Sequence, residues 1–170
     1  MRHVTMCAVL SLLALVPAAA DAPMVEVKKV LTLAGAKAAA AAAAAEARRH
    51  NAGGAIAVVD DGGNLLYLER LDGTFSAASN IAIGKARSAA NFRRDTRVFE
   101  DAIKSGRTSL IANPELLPLQ GGVAIIIDGQ VVGGIGVAGA TSAQEDEDIA
   151  TLAAASLVRG ATVAKQDGAR

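Results

Sequence analysis

The stretch GGVAIIIDGQVVGGIGVAG, residues 121–139, constrains the fold more than any other part of this chain. Two runs rich in β-branched residues, VAIIID and VVGGIGVAG, flank Gly129-Gln130, a pair suited to a tight turn. The pattern predicts a β-hairpin at the centre of a sheet. Because AIIID is continuously apolar, its strand is expected to be central and covered on both faces. Gly133, Gly134, Gly136 and Gly139 remove side chains where a second backbone, a helix or a flat ligand comes close. They do not make a dinucleotide fingerprint, because the strand–helix–strand context of that motif is missing.

The rest of the chain supplies partners for this hairpin. AIAVVD (55–60) and NLLYLERL (64–71) predict a second hairpin, turned at Asp61-Gly62-Gly63. An alanine-rich helix is predicted over 32–50, with Thr32 as N-cap and Arg48, Arg49 and His50 in its last turn, where positive charge suits the helix dipole. Apolar spacing predicts a helix over 76–92, with Ile81, Ala82, Lys85, Ala86 and Ala89 near one face. A shorter helix over 96–106 is capped by Thr96, and a loop with Pro114 and Pro118 follows, with a short strand around 116–119. The last helix opens at Thr141 or Ser142, carries Glu145, Asp146, Glu147 and Asp148 in its first turn, and ends near Arg159 before a polar, frayed tail. Hairpins separated by helices place the chain in the α+β class, with an antiparallel sheet flanked by helices. Its 170 residues suit one domain.

Aromatic residues make up 2% of the chain and Trp is absent, so the core must be built from Val, Ile, Leu and Ala. Formal net charge is zero and no basic block is present, which argues against nucleic acid as a partner. The N-terminus reads as a secretory signal peptide over 1–20: Arg2 and His3, an apolar run over 6–16, then Pro17 and Ala18-Ala19-Ala20 before cleavage. The expected product is periplasmic or secreted, with no membrane attachment after cleavage, a domain over 25–160 and a flexible tail over 161–170. Cys7 lies in the apolar run without a lipobox, so the mature chain has no cysteine and no disulfide or thiol chemistry.

Reactive side chains are few. The mature chain keeps one His (His50), one Tyr (Tyr67) and one Met (Met24). A Ser-His-Asp triad would have to use His50, which has no motif around it. His50 reads either as a helix-terminal residue that suits the dipole or as a ligand to haem iron or a metal, with a subunit interface as one setting for it. Tyr67 reads as a half-buried strand residue or a tyrosinate ligand. Lys85 and Arg87 read as solvated charges or as holders of an anion such as a propionate. Arg70 and Asp72 are expected to pair locally. The acidic run 145–148 reads as a solvated first turn, with Asp146 as a candidate pocket cap.

AIAVVDDGGNLLYLERLDG, IAIGKARSAA, GGVAIIIDGQVVGGIGVAGAT and QEDEDIA, in this order over about residues 30–158, resemble the GlcG/HbpS family of haem-degrading proteins. The resemblance implies a profilin-like fold with a five-stranded antiparallel sheet, homo-oligomers, and haem as a ligand. The candidate haem or ligand site is His50, Tyr67, Arg70, Lys85, Gly121, Gly122, Gly134, Gly139, Thr141 and Asp146, of which Arg70, Lys85, Gly121, Gly122, Gly139 and Asp146 match the family pattern; a single His leaves no His-rich metal site. The chain departs from the family pattern at Asn64, where a His is frequent, and at Gly134 and Ala138, where Ala and Ser are usual. The first departure removes one potential iron ligand. The expected function is that of an exported haem-binding protein: a carrier, a buffer or a redox-sensor accessory. The alternatives are an enzyme acting on a small organic acid or aromatic metabolite, with Lys85, Arg70 and Asp146 lining its pocket, and a structural homo-oligomer.

Overall fold

A computed structural model describes residues 24–167. The signal-like segment 1–20 lies outside the described residues. Four helices and four strands follow in the order α1 (Leu33–Arg49), β1 (Ala55–Asp60), β2 (Leu65–Arg70), α2 (Ala78–Phe92), α3 (Arg97–Lys104), β3 (Gly122–Ile127), β4 (Gln130–Ala138) and α4 (Ala143–Asp167), with one 3-10 turn at Thr108–Ala112. No helix among the described residues is long and apolar enough to cross a membrane.

The sheet is antiparallel throughout, in the order β2-β1-β4-β3. Both predicted hairpins form. The glycine-rich strand β4 is interior, but β3 is an edge strand and not a central one. Its apolar run is explained by cover: α2 packs on one face and α4 on the other, and Gly122, Val123, Ala124 and Ile125 are buried. The turn falls one residue earlier than expected. Asp128 and Gly129 both have positive φ, 48° and 78°, as a type I′ turn requires.

Among the described residues the sheet has four strands, not five. The backbone of 116–119 is committed elsewhere: Leu116 N–H bonds Asn113 O, Leu117 N–H bonds Ser88 Oγ, and Pro118 has no donor. The place beside β3 is taken by the α2–α3 connection. There Asp95 Oδ1 accepts from Ala124 N at 3.0 Å, and Thr96 Oγ1 accepts from Gly122 N at 2.8 Å. Thr96 therefore does not cap α3; its hydroxyl ties that connection to the sheet. Thr32 does cap α1, accepting from Gly35 N at 3.1 Å. Helix α4 continues past Arg159 to Asp167.

The two faces of the sheet differ. On one, Ile56, Val58, Val123, Ile125, Ile135 and Val137 meet the alanine stripe of α1 and Ile149, Ala150 and Ala153 of α4. On the other, Ala82, Ala86 and Ala90 of α2 lie on Ala55, Ala57 and Val59. At Gly134 and Gly136 the α2 face of β4 is bare backbone. A Cβ at Gly134 would lie 2.3 Å from Ala86 O, and one at Gly136 2.2 Å from Ala82 O. Gly134 and Gly136 thus serve a helix that rests directly on the strand, whereas a Cβ at Gly133 would meet Val59 O of β1 at 2.3 Å.

Candidate functional site

Four predicted residues converge where β4 runs into α4. Lys85 projects from the buried side of α2 and donates from Nζ to Val137 O and to Asp146 Oδ2, each at 2.8 Å. Asp146 Oδ1 accepts from Ala140 N at 3.0 Å, which fixes the β4–α4 loop. The two charged side chains are 5% and 9% exposed, so their partners replace nearly all of their hydration. Gly121 closes the cluster: its φ is +113°, and a Cβ there would lie 2.8 Å from Lys85 Nζ. Gly122 follows, against Lys85 O and Thr96. The pair is sealed, and neither cavity described below reaches it. Lys85 is an internal clasp joining α2, β4 and α4; it does not present its charge to an anion.

Thr141 and His50 each meet Glu145, at the start of α4. Thr141 donates its N–H and its hydroxyl to Glu145 Oε2. These bonds, the hydroxyl's first, hold the Glu145 carboxyl below its ordinary range, and His50 adds to the effect. Glu145 Oε1 lies 3.2 Å from His50 Nδ1, and Glu46 Oε1 lies 3.1 Å from His50 Nε2. The His50 side chain is 49% exposed. It ends α1 in the predicted last turn and is joined to the start of α4 through Glu145.

Tyr67 and Arg70 stand on edge strand β2. Tyr67 OH donates to Glu69 Oε2 at 3.4 Å, and Glu69 Oε1 accepts from Arg48 at 3.4 Å. Arg48, Ala52, Glu69, Arg70, Leu71 and Asp72 line a polar cavity of about 400 Å³. Among the described residues no ion pair joins Arg70 to Asp72, contrary to the sequence expectation. Gly134 lies under α2, and Gly139 packs beside Thr74 and Phe75. The ten candidates therefore fall into a sealed clasp, an exposed imidazole end and a polar cavity that Arg70 lines and Tyr67 reaches only through Glu69, with Gly134 and Gly139 in close packing.

The acidic run was not simply a solvated turn. Asp146 and Glu147 are buried, and Glu145 orients both Thr141 and His50. The signal available was the Ser142-x-x-Glu145 spacing: Ser142 Oγ accepts from Glu145 N at 3.1 Å, the first half of a capping box. Glu46 lies four residues before His50 on α1, which places the two on one helix face. The composition of that helix gave no reason to single it out.

A single antiparallel sheet between an α2 layer and an α1/α4 layer, with its charged clasp buried beside β4, defines a one-sheet α+β class. Within that class the chain belongs to the HbpS-like family of haem-degrading proteins, whose family model matches residues 31–155. It is similar to Protein GlcG of Escherichia coli K12, with 45% identity over 78 residues, 46% of this chain and 58% of that one. The match thus spans little more than half the length of that curated relative. A crystal structure of a double Glu→Asp mutant of HbpS from Streptomyces reticuli superposes with a TM-score of 0.73 at 35% identity, covering 85% of this chain and 98% of that one. The crystal structure of a PduOC–haem complex superposes with a TM-score of 0.67 at 25% identity, covering 75% and 94%.

Proposed function

We propose that this chain is an exported haem-binding protein that acts as a carrier, a buffer or a redox-sensor accessory. His50 is the observation that carries the reading. It is half-exposed, and its ring is oriented by Glu145, which Thr141 fixes in turn. A carboxylate that orients an imidazole in this way also raises its basicity as an iron ligand. His50 would supply the nitrogen through Nε2, which must first part from Glu46 Oε1 at 3.1 Å, and Arg70 at the polar cavity, with Arg48 if it leaves Glu69, would meet the carboxylates. Asn64, which stands where the family often has His, is committed to Asp60 in the β1–β2 turn. Haem supplies redox chemistry when bound; the chain's own residues bind it, orient it and neutralise its carboxylates.

Family membership and the haem complex of a structural relative support this reading. The profilin-like description rests on the family resemblance, and a single sheet between two helical layers supports it. Homo-oligomer formation rests on the family resemblance, and export on the sequence of residues 1–20. Titrating hemin into the mature protein is expected to give a saturable Soret shift. The affinity should fall about tenfold or more in His50→Ala, and about tenfold in Glu145→Ala through loss of orientation. No shift at micromolar hemin would overturn the proposal. A shift that is unchanged in His50→Ala but lost in Tyr67→Phe would move the ligand to the phenol.

A further inference from the structure

A second cavity, of about 580 Å³, lies at the opposite end of α1 from His50. Its walls come from four elements: Val30 and Leu31 of the extended lead, Ile127 and Val132 of the β3–β4 hairpin, and Leu157 of α4, with the first turn of α1 as its floor. The volume falls in the range of small-molecule sites. All five wall side chains are aliphatic, so the cavity recognises shape by dispersion and offers no ring to stack on.

Charge decides the class of ligand. The charged side chains at the mouth are Lys29 and Asp128, and they are paired with each other through Lys29 Nζ and Asp128 Oδ2. Lys29 N also donates to Gln130 Oε1 at 2.9 Å, which holds the lead across the hairpin. A charged ligand would have to part that ion pair or sit beside it as a surplus charge. A neutral one leaves it intact. Among the described residues no imidazole, thiol, thioether or phenol lines the cavity, so these residues offer haem iron none of its usual donors.

Gly35 is the one glycine in a helix otherwise rich in alanine, and it stands in this floor. Glycine weakens a helix relative to alanine. A Cβ at this position would lie 3.0 Å from Leu31 Cδ1 and 3.9 Å from Leu157 Cδ2, so a side chain here would grow into the cavity. We propose that the cavity between the lead segment, α1, the β3–β4 hairpin and α4 is a second binding site, for an uncharged, predominantly aliphatic small molecule.

The test compares three probes with one ten-carbon tail: n-decanol, decanoate and decylammonium, each titrated calorimetrically into the mature protein. Decanol is expected to bind saturably at one site, with both charged probes at least tenfold weaker. Gly35→Leu should abolish decanol binding while the far-ultraviolet circular dichroism stays that of the wild type. If that variant does not fold, methyl NMR of the wild type decides. Decanol should shift the methyl signals of Leu31, Val132 and Leu157. Absence of saturable decanol binding, equal binding of decanoate, retention of binding in folded Gly35→Leu, or methyl shifts confined to other residues would each overturn the proposal. None of these outcomes bears on haem at His50.

Discussion

Lys85 joins α2, β4 and α4 through one ammonium group. Replacing it with Met keeps the stem but leaves Asp146 as a buried carboxylate without its cation; Asp146→Asn leaves the ammonium without its anion. Breaking a buried pair from either side is expected to cost about 3–5 kcal/mol, measured by urea denaturation of each variant. The double variant Lys85→Met/Asp146→Asn should lose less than the sum of the two, because neither charge is then stranded. Much of this was legible in the sequence. Helical spacing already placed Lys85 on the same face as Ala82, Ala86 and Ala89. Its partner was not legible, because Asp146 lies 61 positions away and its contact depends on where α4 docks. Thr96 misled for a related reason: a Thr before a helix reads as a cap, but the edge of β3 claims its hydroxyl more effectively.

At the scale of elements, the β3–β4 hairpin contains two kinds of glycine, the turn residue and the residues of close approach, which fail for different reasons. Gly129 needs its positive φ of 78° and has nothing within 4 Å of a would-be Cβ. Gly136 has an ordinary strand backbone, but a Cβ there would lie 2.2 Å from Ala82 O. Gly129→Ala is therefore expected to cost about 1 kcal/mol in backbone strain. Gly136→Ala should cost about 3 kcal/mol, because α2 must lift from the sheet. Thermal unfolding of the two variants under one set of conditions would rank them. The first turn of α4 carries a pH dependence of definite sign. The Glu145 carboxyl is held below its ordinary value of 4.5 by the Thr141 hydroxyl and N–H, with His50 contributing. Its folded pKa is thus lower than its unfolded one. The stability it adds is complete above the unfolded value and is lost as pH falls through the folded one. Urea midpoints of wild type and Glu145→Gln should differ at neutral pH and converge in acid; a gap that persists in acid would mean that the carboxylate charge is not the source. Helix and hairpin existence was readable from periodicity, and so was the dipole-friendly acid run. Strand order was not. An edge strand covered on both faces has the same apolar composition as a central one.

For the whole molecule, α1 is the dividing axis. Its C-terminal end presents His50 to Glu145 and stands near the polar cavity, and its N-terminal end floors the aliphatic one. Seventeen residues of helix put roughly 25 Å between them. Composition predicted a core of Ala, Val, Ile and Leu, and that core is continuous along α1, but composition could not show that its two ends are chemically opposite. The separation predicts independence. Sites this far apart that share no partner usually act additively. Gly35→Leu should leave the hemin titration unchanged, and His50→Ala should leave the decanol isotherm unchanged. The stability changes of the two variants should add within about 0.5 kcal/mol in the double variant. Coupling could arise only through α1 itself, since its alanine stripe Ala36, Ala39, Ala40, Ala43, Ala44 and Ala47 is packed along the length of the sheet. A helix gripped by so many small, fully buried contacts has no room to shift between two arrangements, and a two-state element is what coupling would need. Non-additivity above that margin would show that α1 moves as a unit when either end is occupied, and would turn two independent sites into one linked system.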